Sequence, residues 1–181
     1  MTKTRMRTLT ALAALTLPLL MASAPAAPKA AAPPSGPTKL VSRLTDKCAD
    51  VEAWSKDDGA VVHQWSCRFD NDANQKWTFE YRGGGNWKLK NLNSGKCLDV
   101  FDGSKAEGAR LQQFRCGETN SQLWEYVATQ TVPEFFKLKN RYSGKCVDVS
   151  GRSHDDGAII HQWTCLDGDD HNQQWRFPTS T

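Results

Sequence analysis

The sequence predicts an all-β fold, a closed barrel of short strands with pseudo-threefold symmetry. Three observations lead to this prediction. The six cysteines form three pairs with a constant separation of 19 residues, the first cysteine of each pair recurs every 49 residues, and a Gln-x-Trp motif follows each pair. Coincidences at a fixed period indicate one structural unit repeated three times. The chain of 181 residues therefore contains three repeats of about 47–49 residues.

The amino-terminal segment precedes the repeats and has the pattern of an export signal. Lys3, Arg5 and Arg7 come before an apolar run over residues 9–22, and small residues follow as far as Ala26. This order is typical of a secretory signal peptide, and the run is shorter than the ~20 residues that cross a bilayer. We expect a signal peptide over 1–26 that is cleaved after Ala26. The mature protein should be secreted and extracellular, with no membrane span.

An Ala- and Pro-rich stretch over residues 27–38 separates this signal from the repeats. Because proline fixes its own backbone and has no N–H donor, the stretch is predicted to be an extended linker. The folded domain is expected over 39–181.

The charge balance argues against a nucleic-acid partner. The chain has 23 Lys and Arg against 20 Asp and Glu, and three of the positive charges lie in the signal segment. The remainder is balanced, so it lacks the positive surface with which proteins hold phosphate backbones.

Short alternating segments separated by turn residues fill each repeat. Residues 88–92 and 136–140 alternate polar and apolar side chains, and Ser-Gly-Lys turns follow at 94–96 and 143–145. No window supports a long amphipathic helix, so about four short strands per repeat, about twelve in all, are predicted. A propeller normally needs at least four blades, and three repeats favour a barrel around one shared core.

The cysteine spacing favours one disulfide inside each repeat. Six cysteines allow fifteen pairings, and the constant separation together with the export signal selects among them. The expected pairs are Cys48–Cys67, Cys97–Cys116 and Cys146–Cys165. Zinc is the competing interpretation, but the chain has no Cys-x-x-Cys motif. Residues 70–74 look like the start of a calcium loop, yet Gln75 occupies the position that requires glycine. We therefore expect no metal and no cofactor.

Two motifs within the repeats resemble those of a known family. A Cys-x-Asp-Val sequence surrounds each first cysteine, at Cys48, Cys97 and Cys146, and each repeat ends in Gln-x-Trp. In this combination the chain resembles the ricin-type β-trefoil lectins, which include xylan- and galactose-binding modules, over residues 39–178. The resemblance implies a β-trefoil with up to three shallow sugar sites, one in each repeat.

The resemblance also implies which residues contact the sugar. In the first repeat they are Asp50, His63, Trp65 and Asn74. In the third repeat they are Asp148, His161, Trp163 and Asn172. The second repeat has Asp99, Gln112 and Phe114, but Ser121 stands in the asparagine position and the spacing from Cys116 to Trp124 is two residues shorter. That site is predicted to be altered, weak or absent.

The chemistry of these residue types suits a pyranose. An indole offers a flat surface to the C–H face of the ring, a carboxylate accepts hydroxyl protons, and an asparagine amide both donates and accepts. Structural alternatives exist, since the aspartates could bond to turn amides and the histidines and Trp65 or Trp163 could be structural. By contrast, Trp77, Trp124 and Trp175, with Gln75, Gln122 and Gln173, recur in all three repeats and are predicted to pack in the core.

These observations favour a secreted, non-catalytic carbohydrate-binding protein for galactose- or xylose-type glycans, free-standing and without an attached catalytic domain. The alternative is a secreted protein-binding trefoil, such as an inhibitor or a toxin-associated subunit. Catalysis is not expected, because glycoside hydrolysis needs two carboxylates flanking one bond, and the repeated carboxylates belong to separate repeats.

Overall fold

The computed structural model describes residues 1, 32–129, 132, 134–168 and 170–178. Apart from residue 1, the predicted signal peptide and the linker as far as residue 31 lie outside the described residues. In the described part the strands are β1 Thr38–Lys39, β2 Val41–Ser42, β3 Cys48–Val51, β4 Val62–Trp65, β5 Lys76–Tyr81, β6 Asn86–Asn91, β7 Cys97–Val100, β8 Leu111–Phe114, β9 Trp124–Ala128, β10 Phe136–Asn140, β11 Cys146–Val149, β12 Ile160–Trp163 and β13 Trp175–Arg176.

Six strand positions close into an antiparallel barrel. The ring runs β5–β6–β9–β10–β13, and β1 and β2 close it by pairing with β5 and β13 respectively. In the part of the chain that the structure describes, the predicted count of about twelve strands becomes thirteen, because the first strand changes partner at buried Leu40 and is split there into β1 and β2. The predicted closed barrel is confirmed.

Three hairpins, β3–β4, β7–β8 and β11–β12, cap one end of this barrel. They meet one another through the bridges Val61–Gln112, His63–Ile159 and Arg110–His161. The connections hold only short 3₁₀ turns in the described residues, at Glu52–Trp54, Ala73–Gln75, Phe101–Gly103, Asn120–Gln122, Ser150–Arg152 and His171–Gln173. None of the helices described is of a length and apolarity that would let it cross a membrane.

The predicted core residues fill the barrel. The side chains of Trp77, Trp124 and Trp175 are 0% exposed. Their indole N–H groups donate to the carbonyl oxygens of Ala49, Leu98 and Val147 at 3.2, 3.1 and 3.3 Å. Each tryptophan therefore packs apolar surface while its single polar atom stays hydrogen-bonded. The three expected disulfides are present, one in each repeat.

Buried glutamines tie each cap hairpin to a neighbouring repeat. Gln113 Nε2 donates to the carbonyl oxygens of Ser55 and Asp57 at 2.9 and 3.0 Å, while its Oε1 accepts from Ser94 at 2.6 Å. Gln64 and Gln162 make equivalent bonds to the third and second repeats. Gln64, Gln113 and Gln162 are thus structural, and they fix the hairpins that carry the candidate site residues.

A second set of ties involves one lysine in each repeat. Lys88 is 1% exposed, and its Nζ donates to Gly117 O at 2.6 Å and lies 3.0 Å from Glu118 Oε1. Lys39 and Lys137 bind the carbonyl oxygens of Arg68 and Leu166 in the same way. Each lysine holds the residue that directly follows the second cysteine, and this residue adjoins the candidate site.

Candidate functional site

The cap hairpins bring the predicted polar residues of each site together. Asp50 lies opposite His63, Asp99 opposite Gln112, and Asp148 opposite His161 in the strand register. Because side chains alternate across a strand, the aromatic residue two positions further lies on the same face as the histidine or glutamine. The Gln-x-Trp segment then approaches this face through its 3₁₀ turn.

In the third repeat, Asp148 is held by three side-chain donors. The carboxylate is 3% exposed; its Oδ1 accepts from His161 Nε2 at 3.0 Å, and its Oδ2 accepts from Asn172 Nδ2 and Gln173 Nε2, both at 2.8 Å. A buried carboxylate is stable only with such compensation. The predicted Asp, His and Asn therefore form one network, and Gln173 is an additional member of it.

Trp163 forms an open wall beside this network. The residue is 39% exposed, and its ring stacks on His161 with centroids 5.5 Å apart and planes 19° from parallel. Trp163, His161 and Asp148 line a cavity of about 410 Å³ together with Asn172, Leu166 and Arg152. Asn172 is 5% exposed, yet its Oδ1 has no hydrogen-bond partner. The cavity thus contains an unsatisfied acceptor beside an accessible indole.

The first repeat has the same frame. Asp50 is 1% exposed; Oδ1 accepts from His63 Nε2 at 3.2 Å and Asn74 Nδ2 at 2.9 Å, and Oδ2 accepts from Gln75 Nε2 at 2.8 Å. Trp65 is partly exposed and stacks on His63 with centroids 5.4 Å apart. All four predicted residues of the first repeat are therefore grouped as in the third.

Arg68 makes the first repeat different. Its Nη1 lies 3.2 Å from Asn74 Oδ1 and 3.4 Å from Asp50 Oδ2, and its guanidinium lies 5.8 Å from the centroid of the Trp54 ring. The equivalent position holds Leu166 in the third repeat and Gly117 in the second, and both line cavities there. In the first repeat, the amide oxygen that is free in Asn172 is already bonded to this arginine.

The second repeat keeps the aspartate but loses most of its donors. Asp99 is 5% exposed; Oδ2 accepts from Gln112 Nε2 at 3.0 Å, and Oδ1 has no hydrogen-bond partner. Gln122 donates to Arg115 O, and Ser121 stands where the other repeats have asparagine. Burial raises the pKa of the Asp99 carboxyl against the opposing hydrogen bonds from Gln112, Ser121 and the backbone of Val100. Asp99, Gln112 and Phe114 line a cavity of about 610 Å³, which is larger than the third-repeat cavity.

Two kinds of residue that adjoin the sites were not predicted. Gln75 and Gln173 were predicted to pack in the core; both are buried and donate to backbone, at Ser66 O and Thr164 O, and each also donates to the site aspartate. Nothing in the sequence of the first repeat indicated that Arg68 would adjoin the site. The residue after the second cysteine differs among the repeats: it is Arg68 in the first, Gly117 in the second and Leu166 in the third. This difference is the signal that marks the position as variable.

A comparison with protein-family models identifies the family of this chain. The model described as "Ricin-type beta-trefoil lectin domain-like" matches residues 33–114, 73–163 and 120–181. The chain belongs to the ricin-type β-trefoil lectin domain-like family. The six-position barrel with its three capping hairpins is accordingly a β-trefoil, as the motifs predicted.

Solved structures with the same fold agree with this assignment. A designed 3-fold symmetric protein, ThreeFoil, is 38% identical with a TM-score of 0.73, and the match covers 80% of this chain and 99% of that one. The exo-β-1,3-galactanase 1,3Gal43A from Clostridium thermocellum is 34% identical with a TM-score of 0.72, over 80% of this chain and 30% of that one. The hemolytic lectin CEL-III is 28% identical with a TM-score of 0.61, over 82% and 32%. No curated protein matches the sequence.

The titratable groups of the described residues were compared with the arrangements that hold metal ions. Across the described ranges, no group of three or more His, Cys, Asp or Glu side chains is arranged to hold a metal ion. The site aspartates in the first and third repeats are instead surrounded by amide and imidazole donors, an arrangement that suits recognition of hydroxyl groups.

Proposed function

We propose that this trefoil is a secreted, non-catalytic lectin that binds galactose- or xylose-type pyranoses at shallow sites in its first and third repeats. The observation that carries the proposal is the third-repeat cavity, where Asp148, Asn172 and Trp163 present a carboxylate, an unsatisfied amide oxygen and an exposed indole on one surface.

Each group has a separate role in binding. Asp148 Oδ1 accepts one protein donor and retains a lone pair for a sugar hydroxyl, whereas Oδ2 already accepts two. Asn172 Oδ1 accepts a second hydroxyl. The Trp163 ring packs on the C–H face of the pyranose, and His161 supports that ring from the other side while orienting Asp148.

Shallow sites of this kind bind weakly when used singly. Each hydrogen bond contributes a net ~0.5–1.5 kcal/mol after water is displaced. Two or three such bonds plus one stacking contact correspond to a Kd on the order of 1 mM. Two sites on one rigid body would bind a polymer about a hundredfold more tightly through effective concentration. A polysaccharide or a multivalent glycan is therefore the expected ligand.

Two similarities support the sugar class. The chain is 28% identical to the hemolytic lectin CEL-III and 34% identical to part of an exo-β-1,3-galactanase. A role in binding rather than cleavage is favoured because the repeated aspartates are buried and hydrogen-bonded in separate hairpins. A glycosidase needs two carboxylates about 5–9.5 Å apart across one bond.

The decisive experiment compares the full chain with two variants on a glycan array and in polysaccharide pull-downs. The double variant Asp50→Ala plus Asp148→Ala should lose binding, whereas Asp57→Ala, at an exposed acid outside the sites, should retain it. Retained binding by the double variant rejects the site assignment. Release of reducing sugar rejects the non-catalytic role, and absence of any glycan binding favours the protein-binding alternative.

A further inference from the structure

The second-repeat cavity differs from the other two in its charged and polar residues. Three positions have lost a cation or amide donor that another repeat carries, and an acid and an aromatic ring have been added, while Arg110 and Arg115 are cations that the other repeats lack. Gly103 stands where the first and third repeats have Trp54 and Arg152, and Gly117 stands where they have Arg68 and Leu166. Ser121 stands where both have asparagine. Phe101 replaces Glu52 and Ser150, and Asp102 replaces Ala53 and Gly151.

One oxygen of the central carboxylate of this cavity lacks a hydrogen-bond donor. Asp99 is 5% exposed, and its Oδ1 has no hydrogen-bond partner, whereas both oxygens of Asp50 and Asp148 are bonded. Leaving such an atom unpaired is costly, because a buried charge requires compensation. The unpaired oxygen belongs to a residue that lines the cavity, so a ligand can supply the missing donor.

The walls around Asp99 favour a positive charge. Phe101 is 42% exposed and Phe114 is partly exposed, and both line the cavity together with Asp102, a second acid. Arg115 also lines it; its Nε is paired with Asp58 Oδ2 at 2.9 Å, and its guanidinium lies 5.4 Å from the centroid of Phe114, which leaves the other face of that ring for a ligand. Arg110 lies 4.2 Å from the centroid of Phe101, which shows that this ring already holds a cation on one face.

We propose that the second-repeat cavity binds an amino sugar, with the ammonium group bonded to Asp99 Oδ1 and the pyranose ring against Phe114. The inference rests on the proposed lectin function, because the Asp–aromatic frame that positions the sugar ring is shared with the other two repeats. The sites differ in the ligand they select: hydroxyl groups in the first and third repeats, and an ammonium in the second.

An ammonium fits this cavity better than a hydroxyl for two reasons. It brings a full positive charge to a carboxylate that burial has destabilised, and bonds between charged partners are about twice as strong as neutral ones. It also carries three donors, so that one N–H can reach Asp99 while the charge remains near Asp102 and the ring of Phe101. The raised pKa of Asp99 is consistent with a carboxylate that lacks a cation.

The test is calorimetric titration of the full chain with a glucosamine trimer, its N-acetylated counterpart and galactose. The free amine should bind about tenfold or more tightly than the acetylated trimer, since acetylation removes the charge and its charge-assisted bond. Asp99→Asn should abolish this preference, and Asp102→Asn, at an exposed residue that leaves the buried network intact, should weaken it about two- to fivefold. The matched control Asp148→Asn should lower galactose binding and leave glucosamine binding unchanged.

The outcomes separate this inference from the lectin proposal. Equal affinity for the two trimers, or amine binding that survives Asp99→Asn, overturns the amino-sugar assignment even if galactose binds. Amine binding that depends on Asp99 supports it even if no neutral sugar binds. Binding of a lysine-containing peptide in place of the glucosamine trimer also overturns it, because the cavity then recognises a peptide cation rather than a sugar.

Discussion

Arg68 Nη1 lies 3.2 Å from Asn74 Oδ1, so a side chain of the protein occupies in the first repeat the amide oxygen that is unpaired in the third. The same guanidinium contacts Asp50 Oδ2 at 3.4 Å. Leu166 takes its place in the third repeat, and there Asn172 Oδ1 is unpaired. Two sites with the same four predicted residues are therefore inequivalent.

The first prediction follows from this difference. Arg68→Leu should strengthen galactose binding at the first repeat by about three- to tenfold, because one competing hydrogen bond is removed. Leu166→Arg should weaken galactose binding at the third repeat by a similar factor. NMR titration that follows the indole N–H signals of Trp65 and Trp163 measures the two sites separately. An unchanged response at Trp65 in Arg68→Leu would show that the arginine does not compete with the sugar.

The second prediction separates the binding tryptophans from the core tryptophans. Trp163→Ala should abolish detectable sugar binding by the third repeat and lower the free energy of unfolding by about 1–2 kcal/mol, less than the loss of a core tryptophan, because the residue is 39% exposed. Trp175→Ala should cost about 3–5 kcal/mol, because that ring is fully buried. Urea unfolding and the same titration check both. A large loss of stability in Trp163→Ala would assign that ring to the core.

Local motifs were sufficient to predict the repeats, the disulfides and the buried tryptophans. Each depends on residues close in sequence or on an exact period, and both are visible in one chain. The split of the first strand at Leu40 was not predictable, since it arises where the strand changes partner to close the barrel between β5 and β13. Barrel closure depends on residues more than 130 positions apart.

The candidate sites also depend on contacts that the sequence could not predict. The second-repeat loop is two residues shorter, and from this the sequence predicted an altered site. It did not indicate that Gln122 would bond to Arg115 O and leave Asp99 short of donors. Nor could it show that Gln113 reaches carbonyl oxygens 56 and 58 residues away, since that contact exists only after the repeats assemble.

The third prediction concerns the buried lysine of the second repeat. Lys88→Met keeps the volume of the side chain but leaves Gly117 O without its donor, so it should lower the free energy of unfolding by about 1–3 kcal/mol. Lys90→Met is the matched control, because Lys90 lies two residues further on β6 with an exposed side chain and should change stability by less than about 0.5 kcal/mol. Chemical denaturation compares them. Equal effects would refute the structural role of Lys88.

The fourth prediction is a loss of stability in acid. The hydrogen bond from Lys96 lowers the pKa of Asp58, and that from Thr164 lowers the pKa of Glu107. Burial acts to raise the pKa of Asp156, but its bonds to Lys47 and Ser66 outweigh this and lower it. A depressed folded-state pKa stabilises the protein above the unfolded-state value, and the contribution is lost as the pH falls through the folded value.

Stability should therefore decline below the ordinary pKa range of these carboxyls, whose reference values are 3.8 for aspartate and 4.5 for glutamate. Denaturant unfolding from pH 7 to pH 3 measures this decline. The triple variant Asp58→Asn, Glu107→Gln and Asp156→Asn should show a shallower decline. An identical slope would mean that these contacts between repeats do not contribute to the pH dependence.

The fifth prediction concerns Asp99, whose contribution to stability depends on pH in the opposite direction. Burial raises the pKa of this carboxyl, so protonation favours the folded state, and the stabilisation is lost as the pH rises through the folded-state value. Asp99→Asn removes the unpaired charge and should raise the free energy of unfolding at pH 7. Asp148→Asn should lower it, because an amide NH₂ would face the donors of Asn172 and Gln173. Destabilisation by Asp99→Asn would show that its carboxylate is adequately compensated without a ligand, and would remove the physical basis for an ammonium site.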